Sequence, residues 1–235
     1  MRTLSGTESA KVLVEESGAE AQYALLTADL DPGAAASRVR RSVVFVPGNE
    51  ARAAFLVAVE LVKPLPETVA TPCWVIDGAS PTEGGFVGRT ARGAVFFPSH
   101  GHVKTATASA AGAAQARLCW DDASSDPRLV AAVQFLEHGR EASAIEPIAE
   151  IDLIGARLAD WVVLFHNGMT TGRSAVSFEV RGEGKLHYLL TGLGAGGWEI
   201  WRNGFVTHPQ TYIPRRSAAL YFEGLAGDYF LRPLN

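Results

Sequence analysis

The chain has 235 residues, 47% of them hydrophobic and 20% charged, a balance that fits a folded globular protein and excludes a disordered one. Its 24 glycines and 12 prolines follow no collagen-like period and predict a turn-rich architecture. A formal charge of −4 gives no field for nucleic acid, and no apolar run approaches the roughly 18 residues of a membrane helix.

Residues 1–11 contain no apolar stretch of the kind a signal peptide needs. Beyond them the apolar residues come in short runs with a period of two. Val43-Val44-Phe45-Val46 and Phe55-Leu56-Val57-Ala58-Val59 are apolar at both parities, as strands covered on two faces are. Arg38, Arg40 and Arg41 open the first of these. Arg41 shares parity with Val39, Val43 and Phe45, which predicts a buried arginine paired with a carboxylate such as Glu60. The other reading makes these arginines donors to an acidic saccharide.

Trp74-Val75-Ile76-Asp77 reads as a further strand. Cys73 and Cys119 each adjoin a tryptophan in an apolar run and read as small buried hydrophobes, although this one pair could also form a disulfide. His100-Gly101-His102 is the sharpest local signal. On a strand, residues i and i+2 share a side, so two imidazoles could hold a divalent metal such as zinc, with Asp77 as an oxygen ligand. Pro98-Ser99 and Gly101 instead place the pair in a turn, where exposed histidines are ordinary. Asp126-Pro127 to Gly139 carries helix start and stop signals, but its context favours a strand over Leu129–Leu136.

From residue 147 the punctuation tightens. Trp161-Val162-Val163-Leu164-Phe165 is apolar at both parities, and Val176, Phe178 and Val180 alternate with polar neighbours. Gly192 to Gly197 joins two strands and reads as a hairpin. Trp198 and Ile200 point one way and Glu199 and Trp201 the other, which makes Trp201 the tryptophan best placed to stack on a pyranose face. Tyr188-Leu189-Leu190-Thr191-Gly192-Leu193 is echoed by Leu220-Tyr221-Phe222-Glu223-Gly224-Leu225, one hairpin pattern used twice. Turn signals recur roughly every ten residues throughout. The expected fold is all-β. A large antiparallel, supersandwich-like β-sandwich spans residues 1–146, and a smaller hairpin-rich β-sandwich spans 147–235.

No nucleophile elbow, phosphate loop or H-E-x-x-H motif is present, and Asp121-Asp122 has no neighbour that would set its two carboxyls apart. Ala24–Leu30, Val39–Val46, Phe55–Val62, Trp74–Asp77, Ala94–Pro98, Val133–Leu136 and the tail from Leu189 to Pro233 follow one another in a telling order. That order resembles the carboxy-terminal β-sandwich region of heparinase II/III-like polysaccharide lyases. The resemblance implies a full enzyme with an α/α-toroid domain ahead of the sandwich and β-elimination on uronic-acid polysaccharides in the cleft between them. There a tyrosine or histidine takes the proton alpha to the carboxylate.

The sequence has no run of paired amphipathic helices, so by this resemblance the chain alone is not catalytic and its catalytic residues stay unassigned. Its expected partners are an acidic polysaccharide or an α/α-toroid domain, with neither nucleic acid nor membrane. Exposed edge strands make a homodimer a further expectation. The histidines that carry the family's metal site are missing from Trp74–Asp77 and from Gln115–Trp120, so no cofactor is expected beyond the zinc reading of His100 and His102. Asp77, His100, His102 and Trp201 are the substrate-binding candidates. The family is often periplasmic or secreted. The competing reading is a non-catalytic carbohydrate-binding or interaction module that kept the fold and lost the chemistry.

Overall fold

The alternation of the sequence becomes strand in nearly every segment of the computed structural model. It describes residues 9–17, 23–31, 38–50, 52–63, 73–77, 79–82, 85–88, 91–96, 105–107, 115–119, 128–136, 142–167, 172–215, 217 and 219–234. All regular elements among the described residues are β-strands. Two compact units divide the chain, residues 1–145 and 146–235.

In the first unit the strands are β1 (Ser9–Ser17), β2 (Ala24–Asp31), β3 (Arg38–Val46), β4 (Ala54–Lys63), β5 (Cys73–Asp77) and β6 (Ala79–Thr82). They are followed by β7 (Gly85–Gly88), β8 (Ala91–Phe96), β9 (Thr105–Thr107), β10 (Gln115–Cys119) and β11 (Arg128–Phe135). An eight-stranded sheet has the order β1-β2-β3-β4-β11-β8-β7-β6, and a three-stranded sheet the order β5-β10-β9. Residues 128–135 are therefore strand, as their context predicts. β11 lies between β4 and β8, and Val130 through Gln134 are buried at both parities. Helix was excluded by position: a central strand with neighbours on both sides satisfies every backbone group through its ladders.

β3 departs from expectation. Ser42, Val44 and Val46 are buried, whereas Phe45 is exposed, so only one face is covered. Arg41 sits on the open parity with Phe45. It stands opposite Glu60 in the β3–β4 register, so the partner position is as predicted but the burial is not. Cys73 and Cys119 also stand at registered positions, on β5 and β10.

The second unit comprises β12 (Ile145–Ala149), β13 (Leu153–Leu158), β14 (Trp161–His166), β15 (Val176–Thr191), β16 (Gly196–Arg202), β17 (Phe205–Ile213) and β18 (Ala219–Pro233), in sheet order β12-β13-β14-β15-β18-β16-β17. Its design rests on two long strands. Residues 176–180 of β15 pair with 227–231 of β18, and 185–191 pair with 219–225, with a register break between. β14 attaches to the second half of β15, in parallel, and β16 to the second half of β18. One continuous sheet thus supplies two layers.

Val176, Phe178 and Val180 from one half and Leu186, Tyr188 and Leu190 from the other share a single core with Trp198, Ile200, Leu220, Phe222, Tyr229 and Leu231. Phe178 lies 5.1 Å from Tyr229 and 6.0 Å from Tyr188, ring centre to ring centre. At the fold line Gly182 has φ +115°, and a Cβ there would stand 2.5 Å from the Arg157 guanidinium. Arg157 reaches from β13 to donate to the Arg181 carbonyl and also pairs with Glu146, so it bridges the bend.

The second unit holds two of the short hairpins expected, β13–β14 and β16–β17, but is not built from them alone. Two of its strands run 16 and 15 residues. Residues 192–197 are not a hairpin, because β18 lies between the two strands they connect. The missing side chains of Gly194 and Gly196 instead make room for Arg173, whose guanidinium donates to the Leu234 carbonyl at 2.7 Å. The two echoed segments are likewise not two hairpins. They are the paired halves of one ladder, Tyr188 opposite Phe222 and Leu190 opposite Leu220.

Candidate functional site

Two arrangements of chemistry-bearing side chains lie on this unit. The first is on the face of the layer formed by β15, β18, β16 and β17 that points away from the core. Strand alternation sends Trp198 and Ile200 inward and Glu199 and Trp201 outward. Register then aligns Trp201 with Phe230 on one side and with Val206 on the other, and Phe230 with Ser177. Val206, Trp201, Phe230 and Ser177 form one row across four strands. Phe230 is 44% and Val206 41% exposed, and Trp201 is half-buried.

The Trp201 indole N–H donates to Glu199 Oε2 at 2.7 Å, and the Arg232 guanidinium lies 5.6 Å from the ring centre. Arg232 also pairs with Glu199 through Nε. Trp201 first and Arg232 second hold the Glu199 carboxyl below the usual carboxylate range. The ring is thereby fixed from two directions, by its one polar group and by a cation over its face.

The second arrangement surrounds His187, which lies on β15 with the parity opposite to the core residues Leu186 and Tyr188. Trp161 stacks on the imidazole at 4.9 Å. His187 Nδ1 and the Tyr221 hydroxyl are 2.8 Å apart, and that hydroxyl donates to Glu223 Oε1 at 3.3 Å. Asp160 Oδ2 stands 3.5 Å from Nε2, and Glu223 Oε1 3.5 Å from Nδ1. Lys185 beside Glu223 is the main reason that carboxyl is held below the usual range, with His187 and the Tyr221 hydroxyl adding to it. The group can order a proton along His187, Tyr221 and Glu223. No three ligand-type side chains among the described residues are grouped to hold a metal ion.

Of the residues predicted from sequence, Trp201 lies on the outward face as expected and is half-buried there, the commoner state of a sandwich tryptophan. Asp77 ends β5, at a position registered with Gln115 of β10. His100 and His102 lie outside the described residues. The His187 group escaped the sequence reading because its members are scattered over 160, 161, 185, 187, 221 and 223. One signal was available. The echoed segments place Tyr221 one position after Leu220 and His187 one before Tyr188, and reading them as ladder partners brings the two side chains together.

The fold defines residues 146–235 as a β-sandwich module that closes its own core. Residues 148–233 match the family model of the Heparinase II C-terminal domain, so the resemblance to the carboxy-terminal region of heparinase II/III-like lyases holds over this unit. No curated protein is significantly similar to the chain.

Proposed function

We propose that the chain is the β-sandwich part of a heparinase II/III-like polysaccharide lyase, contributing carbohydrate contacts while an α/α-toroid domain supplies elimination. The match of residues 148–233 to the Heparinase II C-terminal domain carries this reading. Trp201 is the contact residue it favours, since a fixed, outward indole suits the apolar face of a pyranose. The alternative is a binding module with no part in catalysis, and the separation of Trp201 from the His187 group by core parity favours it.

The test is release of unsaturated uronate from a uronic-acid polysaccharide, followed by ultraviolet absorbance. The chain alone should release none, and adding the toroid domain of a heparinase II/III-like lyase should restore release. Turnover by the chain alone would overturn the division of labour. Sugar binding with no stimulation of the toroid domain would favour the alternative.

A further inference from the structure

Charge on the outward face of β15–β18–β16–β17 is balanced within the face itself. Arg232 is engaged by Glu199, and Arg181 by Glu179 at 2.7 Å. Asp228 stands opposite Glu179 in the register and also acts on Arg181. Among the described residues of this face two guanidinium groups therefore stand with three carboxylates, a net negative balance that disfavours an anionic ligand. Through the middle of this frame runs the row Val206, Trp201, Phe230 and Ser177, on strands about 4.8 Å apart. Farther along β17, Tyr212 stands opposite Gly197 and is 61% exposed.

We infer that this face binds the uncharged sugars of a glycan, stacked along Trp201 and Phe230, in preference to its uronates. Three properties fit a neutral sugar chain. The apolar stretch Val206, Trp201 and Phe230 is narrow and continuous across three strands, which suits a ribbon-like ligand. The Trp201 ring is held before any ligand arrives, so little rotamer freedom is lost on stacking. Carboxylates and guanidinium groups flank the row and can accept from and donate to sugar hydroxyls without meeting a like charge.

The inference deepens the reading of Trp201 as a carbohydrate contact and rests on it. Calorimetric titration of the full chain with cellohexaose, and separately with a heparin hexasaccharide, tests both at once. Neutral hexasaccharide should bind, and Trp201→Ala and Phe230→Ala should each weaken it roughly tenfold. Trp201→Phe should retain most of the affinity. Unchanged melting temperatures would show that the variants are folded, as expected for outward positions. Tighter binding of the heparin hexasaccharide, lost in Trp201→Ala, would overturn the neutral preference and leave the carbohydrate reading standing. Binding of neither, or neutral binding indifferent to both alanine variants, would overturn the site itself. Self-association abolished by Phe230→Ala would assign the face to a second copy and overturn it as well.

Discussion

The two large sheets solve the same problem differently. In the first unit, β1 to β4 follow one another as antiparallel neighbours, and β4 and β11 in the middle of the sheet are buried at both parities. In the second unit, β15 and β18 double back, and the sheet covers one of its own faces. A sheet that folds over needs long strands and a place to bend.

The sharpest way to break this comparison is to empty each core in turn. Trp198 and Phe55 are both fully buried, in the second and first units respectively. Removing either ring should cost about 3–5 kcal/mol. If each sheet closes its own cooperative unit, calorimetry will show two transitions, with Trp198→Ala lowering one and Phe55→Ala the other. A single transition that both variants lower equally would mean that the folded-over sheet is not autonomous.

What the sequence made legible divides along the same line. Alternation identified strands in both units, and Trp161 to Phe165 are buried on both faces as their composition implies. The outward direction of Trp201 was also readable, because parity within one strand is local information. The doubling back was not. It depends on Gly182 and on β18 entering between β15 and β16, and which strands neighbour each other is not encoded in the period of any one strand. For the same reason the His187 group was invisible, being assembled across three strands and a turn. At Val43 to Val46 the error ran the other way: apolar composition at both parities implied two covered faces, yet Phe45 stays open beside Phe135 at 6.3 Å.

The bend itself sharpens the comparison at smaller scale. Gly182 and Gly184 both have positive φ, at +115° and +87°, but only Gly182 has a neighbour where a Cβ would go. Alanine at either position should cost about 1–3 kcal/mol for its backbone conformation. At Gly182 it must also displace Arg157, the side chain that ties β13 to the bend. Urea unfolding should therefore rank Gly182→Ala below Gly184→Ala, with Arg157→Ala removing most of the difference. Equal losses at the two glycines would show that Arg157 does not constrain the bend.

The smallest expected effect lies where the two halves of β18 meet. Tyr188 and Tyr229 both donate to the Leu225 carbonyl, at 2.9 and 2.6 Å. Burial pushes both phenols above their ordinary range, and for Tyr188 the neighbouring Tyr229 hydroxyl adds to the shift. An unfolded tyrosine loses its proton near pH 10, whereas the folded unit keeps both protons. Above that pH the folded state binds more protons than the unfolded one, so stability is full below about pH 10 and falls as pH rises further.

Phe at 188 leaves the carbonyl paired through Tyr229, so at neutral pH the loss should be near the low end of about 0.5–1.5 kcal/mol. Its signature is in the slope: urea midpoints measured from about pH 8 to about pH 11 should decline less steeply in Tyr188→Phe than in the unaltered chain. Parallel declines would mean that the Tyr188 phenol ionises as easily in the folded sheet as in the unfolded chain. The aromatic corner would then lack the dry interior that its burial implies.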